Sequence, residues 1–258
     1  MNLLIDLGNT RLKWAVWQEG RRSIGGVFAH RERTLEAGLG TNWASLPKPS
    51  AVYVASVVDP EFEQALIETV REHFDQAPIF VRTPANALGV RNAYAQPDRL
   101  GIDRFLGLCA LHNAAPRAQI LVSCGTALTL DALDRDGRHL GGLIAPSPSL
   151  MRHALNLGTA RVGGAAGDLV EIADNTVDAA YSGSVLSAMS LIERFHHQVT
   201  QRLEAPIAIV ADGGGVEEWI HLLPQIERGR DLVLRGLALW ADHANIETSS
   251  AEPMSRSG

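Results

Sequence analysis

The sequence predicts an α/β protein built as two halves of one plan. Three observations carry this. Short apolar runs with strand character alternate with longer stretches of helical periodicity. A strand–turn–strand opening occurs twice, at the N-terminus and again near residue 119. Each time, a small polar turn carrying a glycine, Gly8 or Gly125, follows the first apolar run, and the two glycines lie a little under half the chain apart. The repeat is one of architecture, not of sequence.

Taken in order, Leu3-Leu4-Ile5 is a strand that ends in Asp6-Leu7-Gly8-Asn9-Thr10. Residues 11–18 alternate, with Leu12, Trp14 and Val16 on one face, which makes the first hairpin; residues 24–29 add a third strand. Residues 51–58 read as a buried strand. Asp59-Pro60 then supplies an N-cap and a first-turn proline, and Phe62, Leu66, Val70 and Phe74 repeat every four residues along the buried face of a helix. Residues 79–82 form another strand, so the first half reads β-β-β-β-α-β. A helix over 101–113 stops before Pro116. Strands follow at 119–122, 127–133 and 140–144, the last two joined by an Asp136-Gly137 turn. The remainder is mostly helical: a long amphipathic stretch over 182–204, a strand at 207–210 leading into Asp212-Gly213-Gly214-Gly215, a short helix around Trp219, and a final helix over 231–245. Residues 163–167 (GGAAG) read as a flexible loop and 249–258 as a disordered tail. The division expected is 1–115, 116–248 and the tail.

Composition narrows the function. With 258 residues, 46% hydrophobic and 20% charged, the chain is long enough to bury a core without disulfide or metal staples. A net charge of −6 disfavours nucleic acid or an anionic membrane as the main partner and leaves room for a local anion site. Cys109 and Cys124 form no CxxC, and no HExxH occurs, so a structural zinc site is not expected and the reducing cytoplasm is the simplest compartment. The N-terminal apolar run is too short for a signal peptide, and no stretch reaches the length of a membrane span.

Three segments carry candidate chemistry. In Asp6–Thr10 a glycine turn lets backbone N–H groups approach a phosphate, and an Asp at a strand end can hold a phosphate-bound Mg²⁺ through water. Lys13, one of only two lysines, stands on the next strand. The same residues make an ordinary hairpin turn, and both readings stay open. Ser123-Cys124-Gly125-Thr126 repeats the logic, and Gly213–Gly215 adds a third glycine loop at a strand end, where ligands bind in α/β folds. A P-loop is excluded, because no G-K-[ST] exists, and no G-x-G-x-x-G follows a strand. The third segment is Tyr94, Pro97 and Leu100–Arg104, with Asp103 in the first turn of a helix, where the dipole favours a carboxylate. His112, His153, His196 and His197 fall on helical patterns with no paired nucleophile.

Taken together, the sequence resembles the type III pantothenate kinases of the acetate/sugar kinase–Hsp70–actin superfamily. The carrying motifs are DLGNTRLK at 6–13, YAQPDRLGIDR at 94–104, GTALTLD at 125–131, HLGGLIAP at 139–146, NT at 175–176, DGGG at 212–215 and LVLRGL at 232–237. They run in family order over most of the chain. The resemblance implies two RNase H-like (actin-like ATPase) halves with a ligand cleft between them. It implies ATP-dependent phosphorylation of pantothenate to 4'-phosphopantothenate, the first step of coenzyme A biosynthesis, by a cytoplasmic homodimer whose pantothenate pocket is completed by the second subunit. ATP would be bound by Asp6, Leu7, Gly8, Asn9, Thr10, Arg11, Leu12 and Lys13 as the first phosphate loop, by Thr126 in the second, and by Gly213 and Gly214 near the adenosine. Tyr94, Gly101, Ile102, Asp103, Arg104 and Thr176 would hold pantothenate, Asp103 as the proton acceptor, and Asp6 would orient Mg²⁺ through water or phosphate. The sequence departs from the family at Ser123, where an Asp usually binds K⁺ or NH₄⁺, and less at Ser147, where Gly is frequent. The Ser123 departure supports one alternative, a kinase-fold binding or transcription-accessory protein with weakened or no catalysis.

Overall fold

A computed structural model describes residues 1–29, 39, 42–159, 162 and 167–251, with side chains of the last helix described through residue 244. The 163–166 part of the expected glycine loop and the tail from 252 lie outside the described residues. The chain forms two compact units. The first contains residues 1–88, 95–110 and the stretch from 232 onward; the second contains 89–94 and 111–231. The linear division at 115/116 assigns the final helix to the second half, whereas its packing groups it with the first.

In the first unit, strands β1 (Asn2–Leu7), β2 (Arg11–Gln18), β3 (Arg21–Ala29), β4 (Ala51–Ser56) and β5 (Ile79–Val81) form a sheet ordered β3-β2-β1-β4-β5. The first three are antiparallel, and β1, β4 and β5 are parallel. Alternation puts Leu3, Ile5 and Leu7 of β1 and Leu12, Trp14 and Val16 of β2 into one core, against helix α1 (Pro60–Phe74). Asp59 caps α1 by accepting the Phe62 N–H at 2.9 Å, and Leu66, Val70 and Phe74 are its buried apolar residues. Phe62 packs at the edge of this core. Trp43 fills it, edge-on to Trp14 with ring centroids 6.3 Å apart. Short strand β6 (Asn86–Ala87) follows, then β7 (Val90–Arg91), which belongs to the second unit. Helix α2 (Ile102–Ala114) comes next, buried along Phe105, Leu106 and Leu108.

The second unit repeats the plan. Strands β8 (Gln119–Cys124), β9 (Ala127–Leu133), β10 (His139–Pro146), β11 (Ala208–Asp212) and β12 (Glu227–Arg228) are ordered β10-β9-β8-β11-β12, again antiparallel then parallel. Helix α3 (Pro148–Gly158) follows β10. Helix α4 (Thr176–Leu203) packs Val185, Ala188, Ile192 and Val199 on Ile120, Val122, Leu128, Leu130 and Ile209 of the sheet. Two 3₁₀ turns, Gly214–Glu218 and Ile220–Leu222, meet at the fully buried Trp219.

Some boundaries differ from the sequence-based expectation. Helix α4 starts at Thr176 rather than 182, because Asn175 caps it by accepting the Asp178 N–H at 3.0 Å. Strand β3 begins at Arg21 because the tight Glu19-Gly20 turn, both residues at positive φ, sends the chain directly back along β2. Residues 249–251, expected in the tail, continue the last helix α5 (Leu232–Ala251), since no Gly or Pro interrupts them before Pro253.

Helix α5 lies against β1, β2 and β4, and the Trp17 Nε1–H donates to the Asp242 carboxylate at 3.0 Å. It approaches α2 so closely that a Cβ on Gly236 would lie 2.1 Å from the Leu106 carbonyl oxygen. Gly236→Ala is therefore expected to destabilise the protein by about 1–3 kcal/mol, the cost of forcing helices apart. Gly183→Ala in α4, where the added methyl meets nothing within 4 Å, should be neutral or gain about 0.5–1 kcal/mol from helix propensity. Urea unfolding of both variants checks the contrast; equal midpoints would refute the close contact.

Candidate active site

The first glycine turn closes the β1–β2 hairpin, with Gly8 N–H donating to the Arg11 carbonyl at 3.1 Å. Leu7 and Leu12 face each other across the ladder and are fully buried, so contact with a ligand from either falls to the backbone. Asp6 stands opposite Lys13, both half-buried, on the sheet face opposite to the one that carries Ile5 and Leu7. Cross-strand opposite charges stabilise each other modestly. Asn9 and Arg11 are exposed and Thr10 is half-buried.

The second turn joins β8 to β9, Gly125 N–H donating to the Ala127 carbonyl at 2.9 Å; Gly125 and Thr126 are exposed. The glycine loop after β11 packs directly on it. Gly213 has φ +99°, and a Cβ there would lie 2.3 Å from the Cys124 carbonyl oxygen; one on Gly215 would lie 2.7 Å from Cys124 Sγ. Only glycine permits both the conformation and the approach. Asp212 accepts the Gly213 N–H at 2.7 Å. The Arg228 guanidinium ties the loop down, donating to the carbonyls of Ala211 at 3.0 Å and Gly213 at 3.2 Å, and to Asp212 Oδ1 at 3.4 Å. Ser147, the family-variant position, caps α3 by accepting the Leu150 N–H at 3.3 Å and donates to the Thr126 carbonyl at 2.9 Å. The hydroxyl thus fixes the second turn, a role glycine cannot supply.

Ser123 is in register with Thr129 on β9 and with Asp212 on β11. A carboxylate therefore does stand beside Ser123, on the neighbouring strand, but it is engaged by Arg228 and the Gly213 amide.

Gly101–Arg104 open helix α2. Asp103 Oδ1 accepts the Arg104 N–H at 2.8 Å, and a Cβ on Gly101 would lie 2.6 Å from that same oxygen. Ile102 and Arg104 are buried, and the Thr83 hydroxyl fixes the approach by donating to the Leu100 carbonyl at 2.8 Å. Tyr94 belongs to the second unit, where its ring stacks on His139 with centroids 6.1 Å apart and planes 16° from parallel. His139 Nε2 lies 2.9 Å from Asp131 Oδ1, both side chains fully buried, while Ala93 N–H reaches His139 Nδ1 at 3.5 Å. Those partners fix the tautomer: Nε2–H donates and Nδ1 accepts. Thr176, exposed, is the first residue of α4. Beside it the Asn175 amide, with the Asp168 N–H, holds the Asp178 carboxyl below the usual carboxylate range.

With this geometry in place the chain can be set beside known proteins. The family profile described as type III pantothenate kinase matches residues 2–198. The type III pantothenate kinase of Xanthomonas euvesicatoria pv. vesicatoria is 41% identical over 241 residues, covering 93% of this chain and 97% of that one. The chain belongs to the type III pantothenate kinase family. Among solved structures, a Baf family transcriptional activator from Campylobacter jejuni superposes with a TM-score of 0.62 at 16% identity, over 95% of this chain and 99% of that one. The activator of 2-hydroxyisocaproyl-CoA dehydratase from Clostridium difficile gives 0.52 at 14% identity over 99% of each. At these identities the likeness is one of fold, the actin-like ATPase fold.

In this kinase-family chain the predicted positions fall into local groups. Asp6–Lys13 form one hairpin; Ser123 and Thr126 flank Cys124, on which Gly213 packs, with Gly214 next to it in the same loop; Gly101–Arg104 open one helix; Tyr94, after β7, and Thr176, at the start of α4, stand apart in the second unit. Sequence reading named Ser147 only as a departure from the family and missed its capping role, along with Arg228 and the Asp131–His139 pair. The S-P dipeptide at 147–148 was the available signal for the first, as a cap followed by a first-turn proline. Burial pushes the Cys124 thiol up to about 11 and the Cys109 thiol up to about 12. Burial thus disfavours the thiolate that a cysteine nucleophile needs. Iodoacetamide at pH 8, read by mass spectrometry, should leave both unmodified in the folded protein and alkylate both in urea. Rapid native labelling of Cys124 would contradict its packing under the glycine loop.

Proposed function

We propose that this protein transfers the γ-phosphoryl group of ATP to the hydroxyl of pantothenate, giving 4'-phosphopantothenate, the first step of coenzyme A biosynthesis. The observation that carries this is the 41% identity to a type III pantothenate kinase over nearly the whole chain. In the proposed step the pantothenate hydroxyl oxygen attacks the γ-phosphorus in line. Its proton passes to Asp103, and the bond from the γ-phosphorus to the bridging oxygen breaks to release ADP. Asp103 stands in the first turn of α2, its Oδ1 held by the Arg104 N–H at 2.8 Å, at the position to which the family motif gives the acceptor role. Tyr94, Gly101, Ile102, Arg104 and Thr176 hold pantothenate in this reading, with Arg104 offered to its carboxylate. Residues 6–13, Thr126, Gly213 and Gly214 hold ATP.

Among the described residues no three His, Cys, Asp or Glu side chains cluster as metal ligands. A single strand-end carboxylate, Asp6, fits Mg²⁺, which keeps waters and shares phosphate oxygens; bound there, it would neutralise charge on the phosphates. The monovalent cation fits less well. Ser123 offers only a dipole, and the Asp212 carboxylate in register with it is engaged by Arg228.

A homodimer, proposed with Thr176 reaching the neighbouring subunit's pocket, is supported by apolar side chains left exposed on adjoining elements of the second unit. They are Leu150, Leu155 and Leu157 of α3, Ile144 of the edge strand β10, and Val177 of α4. No helix among the described residues is long and apolar enough to cross a membrane, and the cytoplasm is the proposed location. The transcriptional activator shares the fold alone, so it adds nothing to the non-catalytic alternative.

Purified protein should consume ATP only when pantothenate is present, measured by coupled ADP release. Asp103→Asn should lower turnover by about 10²–10⁴ with ATP binding little changed; near-normal turnover removes Asp103 from the acceptor role. Light scattering should give a dimer at micromolar concentration, and a fully active monomer would reject the shared pocket. Replacing K⁺ by Na⁺ at constant ionic strength should change activity little, while Ser123→Asp should create or strengthen K⁺ dependence. An enzyme inactive without K⁺ or NH₄⁺ would show that other groups hold the ion.

A further inference from the structure

We infer that the second unit carries a separate binding site for an organic phosphate, in the cavity of about 370 Å³ lined by Arg91, Arg138 and Arg202 with Asn92, His139 and Leu140. The three arginines reach it from different parts of the chain: β7, the residue before β10 and the last turn of α4. The first two are fixed side by side. Arg91 N–H donates to the Gly137 carbonyl at 2.8 Å, Arg91 and Arg138 form a β-bridge, and a Cβ on Gly137 would lie 2.0 Å from the Gly89 carbonyl oxygen. Backbone packing therefore holds two guanidinium-bearing residues together against their mutual repulsion.

The carboxylates nearest in sequence have other partners. Asp134 accepts the backbone N–H groups of Asp136 and Arg138 at 2.9 and 2.8 Å, and Asp131 is engaged by His139. Among the described residues no acidic side chain lines the cavity. In a chain of net charge −6, three arginines thus converge on one concavity. Guanidinium forks match phosphate oxygens in pairs, and three forks suit a phosphate better than a carboxylate with its two oxygens. The volume falls in the range of small-molecule sites, about 300–1,000 Å³, larger than a bare phosphate needs. Leu140, half-buried, gives the remainder an apolar wall. An organic phosphate ester fits both parts. The site differs from the phosphate loops proposed for ATP, which lie at Gly8 and Gly125.

The test uses the full-length protein and inorganic phosphate, read by calorimetry and thermal stability at constant ionic strength. Wild type should bind phosphate saturably. Arg91→Gln with Arg202→Gln should weaken binding tenfold or more, a loss of about 1.4 kcal/mol or more. Arg202→Gln alone should weaken it measurably, and these exposed positions leave the core intact. Lys13→Gln, in the first phosphate loop, should retain binding, and saturating pantothenate should not displace it. No saturable binding, undiminished affinity in the double variant, loss in Lys13→Gln, or displacement by pantothenate would overturn the separate site. Pantothenate-dependent turnover of the double variant should match wild type. A protein that binds phosphate as described yet turns over no pantothenate would sink the kinase reading and leave this site standing.

Discussion

The burial of β1 and β8 on both faces is the constraint from which the rest of the architecture follows. Each is the central strand of its sheet, and each runs buried from its first residue with one interruption, at the penultimate position. Those positions are Asp6 and Ser123. A strand covered on both sides has no place for a polar side chain except where the covering elements end. The polar residue therefore emerges just before the turn, and Gly8 or Gly125 follows it in both halves. The position of these polar residues is thus a consequence of how far the covering elements extend over the sheet, and it is the same consequence twice.

Close backbone approach then sets the details. The glycine loop after β11 rests on the Cys124 carbonyl, α5 rests on α2 at Leu106, and the Asp134–Arg138 turn rests on Gly89. In each case a glycine removes the one methyl that would prevent contact. Side-chain hydrogen bonds lock what the glycines allow: Arg228 across the loop after β11, and Ser147 on the Thr126 carbonyl. Arg152 anchors α3 through Glu218 at 2.7 Å and the Ser184 hydroxyl at 3.1 Å. The turn at Thr126 is consequently held by α3 as well as by its own hairpin.

What the sequence disclosed follows from range. Residues 11–18 alternate because one sheet face is core, and Asp59-Pro60 announces α1 through capping chemistry confined to four residues. Such signals are local and therefore legible. Membership of α5 in the first unit is not, because its apolar residues Leu234, Leu237 and Ala238 specify that a face is buried without specifying which sheet buries it. The Tyr94–His139–Asp131 stack is hidden for the same reason: Asp131 and His139 meet across the β9–β10 hairpin, and Tyr94 arrives from a distant segment. Helical periodicity singles out other histidines, while this engaged one sits at a strand start. The residues around Gly8 and Gly125 are legible as turns, and the resemblance to family motifs supplies the reason to propose chemistry for them.

Charge placement extends the parallel between halves and shows where it breaks. In the first sheet the acid is on the central strand, Asp6, and the base opposite it is Lys13 on β2. In the second sheet the central strand carries Ser123, and the acid stands one strand over as Asp212, with Arg228 beside it. Each sheet end therefore sets one carboxylate beside one basic side chain, in register in the first and in contact in the second, and the arrangement is displaced by a strand in the second half. A carboxylate already engaged by a guanidinium and a backbone amide attracts a further cation weakly, because the field it presents is largely offset. The loss of an acid at 123 is thus not repaired by the acid at 212. At the second turn Ser123 puts a hydroxyl where the first has the carboxylate of Asp6.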